Sequence, residues 1–409
     1  MRNELGILTR TLQPSWASMQ AERLVLARLE KLTGGLLEVS HGGTTRLFGR
    51  PAADGLRAKL TVLDPALFRK ALLGGTIGAA ESYMDGDFVV DDLTKMMRLF
   101  VRDAALMSGF ESGVSRLGRS VARLYHAARR NTRAGSRRNI AEHYDLGNDF
   151  FELMLDPTMT YSAGIFASER STMLEASVNK LDLLCRRLEL RPSDHLLEIG
   201  TGWGSLALHA ATHYGCRVTT TTISKRQREW ALEQVAARGL EDRVTVLDSD
   251  YRDLTGQYDK IVSCEMIEAI GREHYPTFFA KCASLLAPGG KLALQAITIR
   301  DQIFEASATE PDFIKRYIFP GSVIPSPTAL LQAATSPSDL VLRNFEDYTP
   351  HYARTMREWR DQLAPHKATV VARYGERFWR MWSYYLGYCE AGFEERYIGS
   401  AHLVFDRAA

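Results

Sequence analysis

Several features are missing from this 409-residue chain, and each absence narrows what it can be. Its five cysteines (Cys185, Cys216, Cys264, Cys282, Cys389) are widely spaced, odd in number and form no Cys-x-x-Cys pair. That argues against a disulfide framework or a structural zinc site, and it suits a reducing cytosol. No metal is expected. No run of about 18 apolar residues occurs, so no membrane-spanning helix is expected. Met1 to Trp16 lacks an apolar h-region and a cleavage site, so no secretory signal is expected either. Formal net charge is only +2, so attraction to an anionic surface would have to come from local clustering. No internal repeat or low-complexity segment is evident. What remains is an ordinary globular composition, 45% hydrophobic and 24% charged, in a chain long enough for two or three domains.

Three zones follow from the pattern of residues. The first, 1–110, carries short strand-like runs (Leu36 to His41, Thr44 to Gly49, Lys59 to Asp64), then Gly74-Gly75-Thr76-Ile77-Gly78 and a helical stretch near Asp91 to Leu106. It reads as a small α+β domain with nothing catalytic in it, and lipid binding, association and stabilisation are its open roles. The second, 111–140, is a basic connector with Arg116, Arg119, Arg123, Arg129, Arg130, Arg133, Arg137 and Arg138 and no acidic residue between Glu111 and Glu142. It reads either as a solvated linker or as a contact with an anionic membrane, where each Arg contributes about 1 kcal/mol. No nucleic-acid motif supports a third reading. The last zone, 141–409, alternates strands and helices. The strands are His195 to Ile199, Cys216 to Thr222, Val244 to Leu247, Lys260 to Ser263 and Lys291 to Ile297. The helices are Gly204 to Tyr214 and Ser224 to Arg238. That rhythm predicts an α/β, Rossmann-like parallel sheet with helices on both faces. Long helices over 353–396 and a last strand, His402 to Phe405, complete it.

The most informative segment is Leu197-Glu198-Ile199-Gly200-Thr201-Gly202-Trp203-Gly204, a buried strand ending in a glycine-rich turn that opens a helix. A dinucleotide fingerprint would place its third glycine one position later and an acidic residue at the end of the second strand. Here that strand ends in Thr219 to Thr222, which disfavours a nicotinamide cofactor. Glu198, just before the glycines, suits a methyltransferase, where it balances a cationic cofactor; its bland reading is a loop-bonding carboxylate. Asp250 and Tyr251 follow the third strand, where a carboxylate and an aromatic ring suit an adenine. Taken alone, Asp250-Tyr251-Arg252-Asp253 is equally a charged surface turn.

Several segments together resemble the cyclopropane-fatty-acid synthase family, which includes the mycolic-acid cyclopropane synthases. They are His143 to Phe151, Leu155-Asp156-Pro157, Thr160-Tyr161-Ser162, Glu198 to Gly204, Thr222-Ile223-Ser224 with Gln227, Glu265-Met266-Ile267-Glu268 with Gly271, and Phe313 to Gly321. The resemblance spans nearly all of 140–409 and reaches Glu81 to Gly86 more weakly. It implies a class I methyltransferase domain behind a smaller N-terminal domain. It also implies S-adenosylmethionine as donor, the cis double bond of a phospholipid acyl chain as acceptor, and a bound bicarbonate as base. By the family's pattern Tyr161, Ser162, Gly200, Gly202, Thr222, Ile223, Gln227, Asp250 and Tyr251 hold the cofactor. Glu268, Ile297 and Tyr352 fall where the bicarbonate binds. Tyr317, Phe319 and Tyr352 are candidate π faces for a carbocation.

Two departures bear on ring closure. Many relatives have Cys where this chain has Ala163, and His where it has Gln295. A methyl-branched or methylene product is therefore the alternative to a cyclopropane. A non-catalytic lipid-binding protein and a small-molecule methyltransferase are weaker readings. The resemblance places the protein in the cytoplasm, peripheral to the inner face of the cell membrane, and is compatible with a homodimer.

Overall fold

The computed structural model describes residues 16–103 and 146–408. The basic connector and His143-Tyr144-Asp145 lie outside the described residues.

The N-terminal unit begins with a helix, Trp16–Leu29, and a four-stranded sheet: β1 (Leu36–His41), β2 (Thr44–Gly49), β3 (Arg57–Val62) and β4 (Phe88–Val90), in the order β2-β1-β3-β4. Gly42 and Gly43, both at positive φ, form the two-residue turn that lets β1 and β2 pair as a hairpin. The glycine-rich Gly74 to Gly78 does not form a loop. It lies inside one helix, Ala66–Asp85, which bends at Gly75 (φ 60°). A Cβ on Gly78 would sit 2.0 Å from the Lys70 carbonyl oxygen, so glycine there permits a close backbone approach. A third helix, Leu93–Arg102, is capped by the Asp92 carboxylate on the Lys95 amide.

The larger unit is a seven-stranded sheet: β5 (His195–Ile199), β6 (Arg217–Thr222), β7 (Val244–Asp248), β8 (Tyr258–Cys264), β9 (Leu286–Ile299), β10 (Leu340–Asp347) and β11 (Ile398–Arg407). The order is β10-β11-β9-β8-β5-β6-β7, and β11 alone runs against its neighbours. Chain order reverses at β5, between β6 and β8, so the ligand crevice of an open α/β sheet falls at the carboxyl ends of β5 and β8.

Three details differ from the sequence reading. The edge strand β10 was not legible, because its outward residues include Val341 and Phe345 and mask the alternation. The segment after the glycine turn starts as an α-helix, Ser205–His209, and continues as a π-turn, Ala210–Tyr214. The long helical stretch is three helices, Thr349–Leu363, Lys367–Tyr374 and Glu376–Glu394. They are parted by a turn holding Pro365 and by Gly375 at φ 86°.

The two units share one apolar core. Leu37, Phe68, Met97, Phe151, Trp203, Tyr352, Trp359 and Phe393 belong to a single buried cluster. A buried carboxylate, Glu390, fastens them: it accepts from Thr94 at 2.8 Å and Arg357 at 3.0 Å, and it pairs with Arg360. Among the described residues no helix is long and apolar enough to cross a membrane.

Candidate active site

The crevice at the strand ends is built by short, buried segments. Glu198 is the penultimate residue of β5, and its carboxylate accepts from the Thr220 hydroxyl on β6 at 2.6 Å. Burial pushes it up to about 8. Gly202 follows at φ 54°, and a Cβ there would meet nothing within 4 Å. At the end of β6 the Thr222 hydroxyl donates to Gln227 at 3.0 Å and accepts from the Ser224 amide at 3.1 Å, with Ser224 capping the Lys225–Ala237 helix. After β7, Arg252 holds Asp250 in a two-pronged ion pair at 2.8 and 2.6 Å. The Tyr251 ring packs edge-on against Phe278, and its buried hydroxyl has no partner among the described residues. On the opposite wall the Tyr161 and Tyr385 hydroxyls lie 3.0 Å apart, and Ser162 accepts from the buried Lys180 ammonium at 2.8 Å.

A second group of side chains stands at the ends of β8 and β9. Glu265 follows β8 directly. One of its carboxylate oxygens accepts from the Ala163 amide at 3.0 Å and from Gln295 Nε2 at 2.8 Å; the other accepts from the Tyr352 hydroxyl at 2.6 Å. Gln295 is itself oriented by His402, whose ring nitrogen lies 2.8 Å from Gln295 Oε1. Burial drives His402 down to about 3, so it is neutral and donates its Nε2–H to that oxygen, which turns the amide N–H toward Glu265. Three residues on, Glu268 accepts from the Ile297 amide at 2.5 Å; its other oxygen is buried without a partner among the described residues. Burial, and then the neighbouring charge of Glu265, push Glu268 up to about 8. Burial also raises Glu265, against the three donors that favour its ionised form.

These shifts have a consequence for stability. Glu268 holds its proton more tightly in the folded chain than in the unfolded one. Its contribution to stability is therefore complete below the ordinary carboxylate range and is lost as pH rises through about 8. The ligand-free Glu268→Gln variant lacks that loss. Its melting temperature is expected to gain on the unsubstituted protein from pH 5 to pH 9; a constant gap would show that Glu268 titrates normally.

Of the residues singled out from sequence, Tyr161, Ser162, Glu198, Gly200, Gly202, Thr222, Ile223, Gln227, Asp250, Tyr251, Glu268, Ile297 and Tyr352 all line one cavity of about 900 Å³. Phe319 does too. Ala163 and Gln295 stand just behind its wall and act on it through Glu265. Tyr317 needs correction: its hydroxyl donates to Glu81 at 2.6 Å, its ring packs on Phe313, and it does not reach the cavity. Glu265, Lys180 and His402 were missed. Glu265 was quoted only as part of a motif, and the other two carry no local signature. Leu37, Leu60, Phe68, Ala71 and Met97 extend the same cavity into the interior of the N-terminal unit.

The crevice fits S-adenosylmethionine. Around Lys180 the crevice is lined by the buried carboxyl groups of Glu198 and Glu268 and the half-buried one of Glu265, so carboxyl groups outnumber the ammonium there and a cation is favoured. The open space at Gly202 and the unmatched Tyr251 hydroxyl suit close approach of a polar ligand. A bicarbonate does not fit. The amides and hydroxyl expected to hold it, from Ala163, Gln295, Ile297 and Tyr352, already donate to Glu265 and Glu268. An added anion would meet two carboxyl groups and no free donor among these.

The profile of the mycolic acid cyclopropane synthetase family matches residues 131–403. The chain is 36% identical over 367 residues to a tuberculostearic acid methyltransferase of Mycobacterium tuberculosis, covering 85% of this chain and 83% of that protein. It is 34% identical over 352 residues to the cyclopropane-fatty-acyl-phospholipid synthase of Escherichia coli, covering 86% and 88%. A mycolic acid cyclopropane synthase solved with SAH and CTAB superposes with a TM-score of 0.63 at 30% identity, over 66% of this chain and 98% of that one. With the sheet order, the glycine turn and the cation-favouring crevice, these matches establish that the chain belongs to the mycolic acid cyclopropane synthetase family of S-adenosylmethionine-dependent methyltransferases.

Proposed function

We propose that the protein transfers the methyl carbon of S-adenosylmethionine to the cis double bond of an unsaturated phospholipid acyl chain and closes a cyclopropane ring. The observation that carries this reading is the single cavity. It runs from Gly200, Gly202 and Asp250, past Glu265, Glu268 and Tyr352, into an apolar chamber in the N-terminal unit. When bound, S-adenosylmethionine supplies an electrophilic methyl group on a sulfonium. An alkene is a poor nucleophile, so the chain's task is to align the two and exclude water. The apolar wall does the second. Glu268 and the Tyr352 and Phe319 rings face the place where positive charge develops.

A methyl-branched or methylene product is the second reading. Gln295 in place of a histidine favours it, as does the similarity to a protein named as a methyltransferase. Proton NMR of the isolated lipid separates the two: ring methylene signals with loss of the olefin support the first, and exocyclic olefinic signals or a new methyl doublet without ring signals the second.

The same reading predicts a chain-length effect. Ala71→Phe adds bulk on the part of the chamber wall that the N-terminal unit supplies. The ratio of kcat/KM for long over short acyl chains is expected to fall about tenfold, with S-adenosylhomocysteine affinity unchanged. An unaltered ratio would place the chain elsewhere. The enzyme is proposed to act peripherally, at the cytoplasmic face of a membrane. The Trp16–Leu29 helix supports this: Val25 and Leu29 line the chamber while Trp16, Met19 and Leu24 are exposed on the same helix.

A further inference from the structure

We infer that Glu265 is a built-in carboxylate base, supplied by the chain in the place where the sequence resemblance had suggested a bound bicarbonate. The inference rests on the acyl-methylation reading and deepens it.

Three observations meet at this residue. First, its two carboxylate oxygens collect the donors that a trapped anion would need: the Ala163 amide, the Gln295 amide and the Tyr352 hydroxyl. Second, its backbone is held at φ 48°, in the left-handed region that favours glycine, while its own amide donates to the Gln295 carbonyl at 2.8 Å. A glutamate in that conformation costs of order 1 kcal/mol, so the surrounding structure holds the side chain there against strain. Third, the donors are themselves supported. His402 fixes the Gln295 amide, and the Tyr352 ring stacks on Phe393 at 4.2 Å between centroids. The carboxylate lines the cavity beside Glu268.

The two carboxyl groups therefore have different tasks. Glu265 accepts from three donors and Glu268 from the Ile297 amide, so hydrogen bonding favours the ionised form of Glu265 more than that of Glu268, against the burial that raises both. The reaction balances without an added base. The alkene electron pair forms a bond to the methyl carbon as the carbon–sulfur bond breaks, leaving neutral S-adenosylhomocysteine and a cation on the acyl chain. Glu265 then takes one proton. The electron pair of that carbon–hydrogen bond closes the third ring bond, or forms a carbon–carbon double bond in the methylene product. The proton leaves Glu265 for solvent after product release. Gln295 and His402 are positioning residues.

The test compares the unsubstituted protein with Glu265→Gly and Glu265→Gln. The glycine variant is suited to the positive φ and opens the anion space; the glutamine variant keeps the space filled without a base. Binding of carbon-13-labelled bicarbonate is followed by NMR line broadening, and turnover on unsaturated phospholipid vesicles is measured with and without carbon dioxide. The unsubstituted protein is expected to bind no bicarbonate and to turn over equally in both buffers. E265G is expected to bind bicarbonate, to lose about 100-fold in turnover without it and to recover when it is added. E265Q is expected to lose as much and not to recover. Bicarbonate dependence of the unsubstituted protein, failure of E265G to bind the anion, or full turnover of E265Q would each overturn the assignment. If the unsubstituted protein methylates no acyl chain, the functional reading fails instead, while the binding experiment still decides whether Glu265 fills the anion space.

Discussion

Gly202→Val is expected to weaken S-adenosylhomocysteine binding by at least about 100-fold, or about 2.7 kcal/mol. The affinity loss comes from the side chain, which would project into the open part of the crevice, where a Cβ meets nothing within 4 Å. Gly202 also sits at φ 54°, and a β-branched residue held there costs of order 1–3 kcal/mol, which should appear in the melting temperature with or without ligand. Calorimetry with S-adenosylhomocysteine checks this, and Gly202→Ala should fall between. Normal binding by the valine variant would mean that the cofactor lies away from the end of β5.

Glu268→Gln is expected to lower kcat by about 1,000-fold while S-adenosylhomocysteine affinity changes by no more than about threefold. Glutamine can keep the bond from the Ile297 amide and nearly the same volume. What it removes is the negative charge beside the developing cation, which is worth most in a dry site. A cation arriving in the crevice pulls the Glu268 pKa down from about 8, so the unsubstituted enzyme should lose rate as pH falls and the carboxylate is protonated. That acid limb should change in E268Q. Unchanged turnover would remove Glu268 from the reaction.

The cofactor side of this arrangement was legible because it is local. Leu197 to Gly204 lie in one strand and turn, and the threonines of β6 and the Asp250-Tyr251 pair follow at the ends of successive strands. A parallel sheet brings such ends together by construction. The second half of the site was less legible because it is assembled over long separations: Gln295 and His402 come from two strands, Tyr352 from a helix, and Ala163 and Glu265 from two loop positions. Glu265 shows the difficulty. In the sequence it is one carboxylate in a motif, three residues before a more prominent one. Only the packing of β8 against β9 and the Thr349–Leu363 helix reveals that its oxygens gather the donors that the resemblance assigns to a bicarbonate. Tyr317 shows the reverse error, since an aromatic in a recognisable motif turned outward to Glu81. The N-terminal unit left lipid presentation, association and stabilisation open in the sequence, because an apolar cavity wall and an apolar core have the same composition. Leu60, Phe68 and Met97 give no sign in sequence of whether they face each other or an acyl chain.

The central claim is that a sulfonium donor and a hydrocarbon tail meet inside the shared cavity. Its most direct test uses S-adenosylmethionine labelled in the methyl group, the purified protein and vesicles of an unsaturated phospholipid. The lipid is then cleaved into head group and fatty acyl esters. The label is predicted to reside in the acyl esters, one carbon heavier. Label confined to the head group, or none in the lipid, would contradict the account.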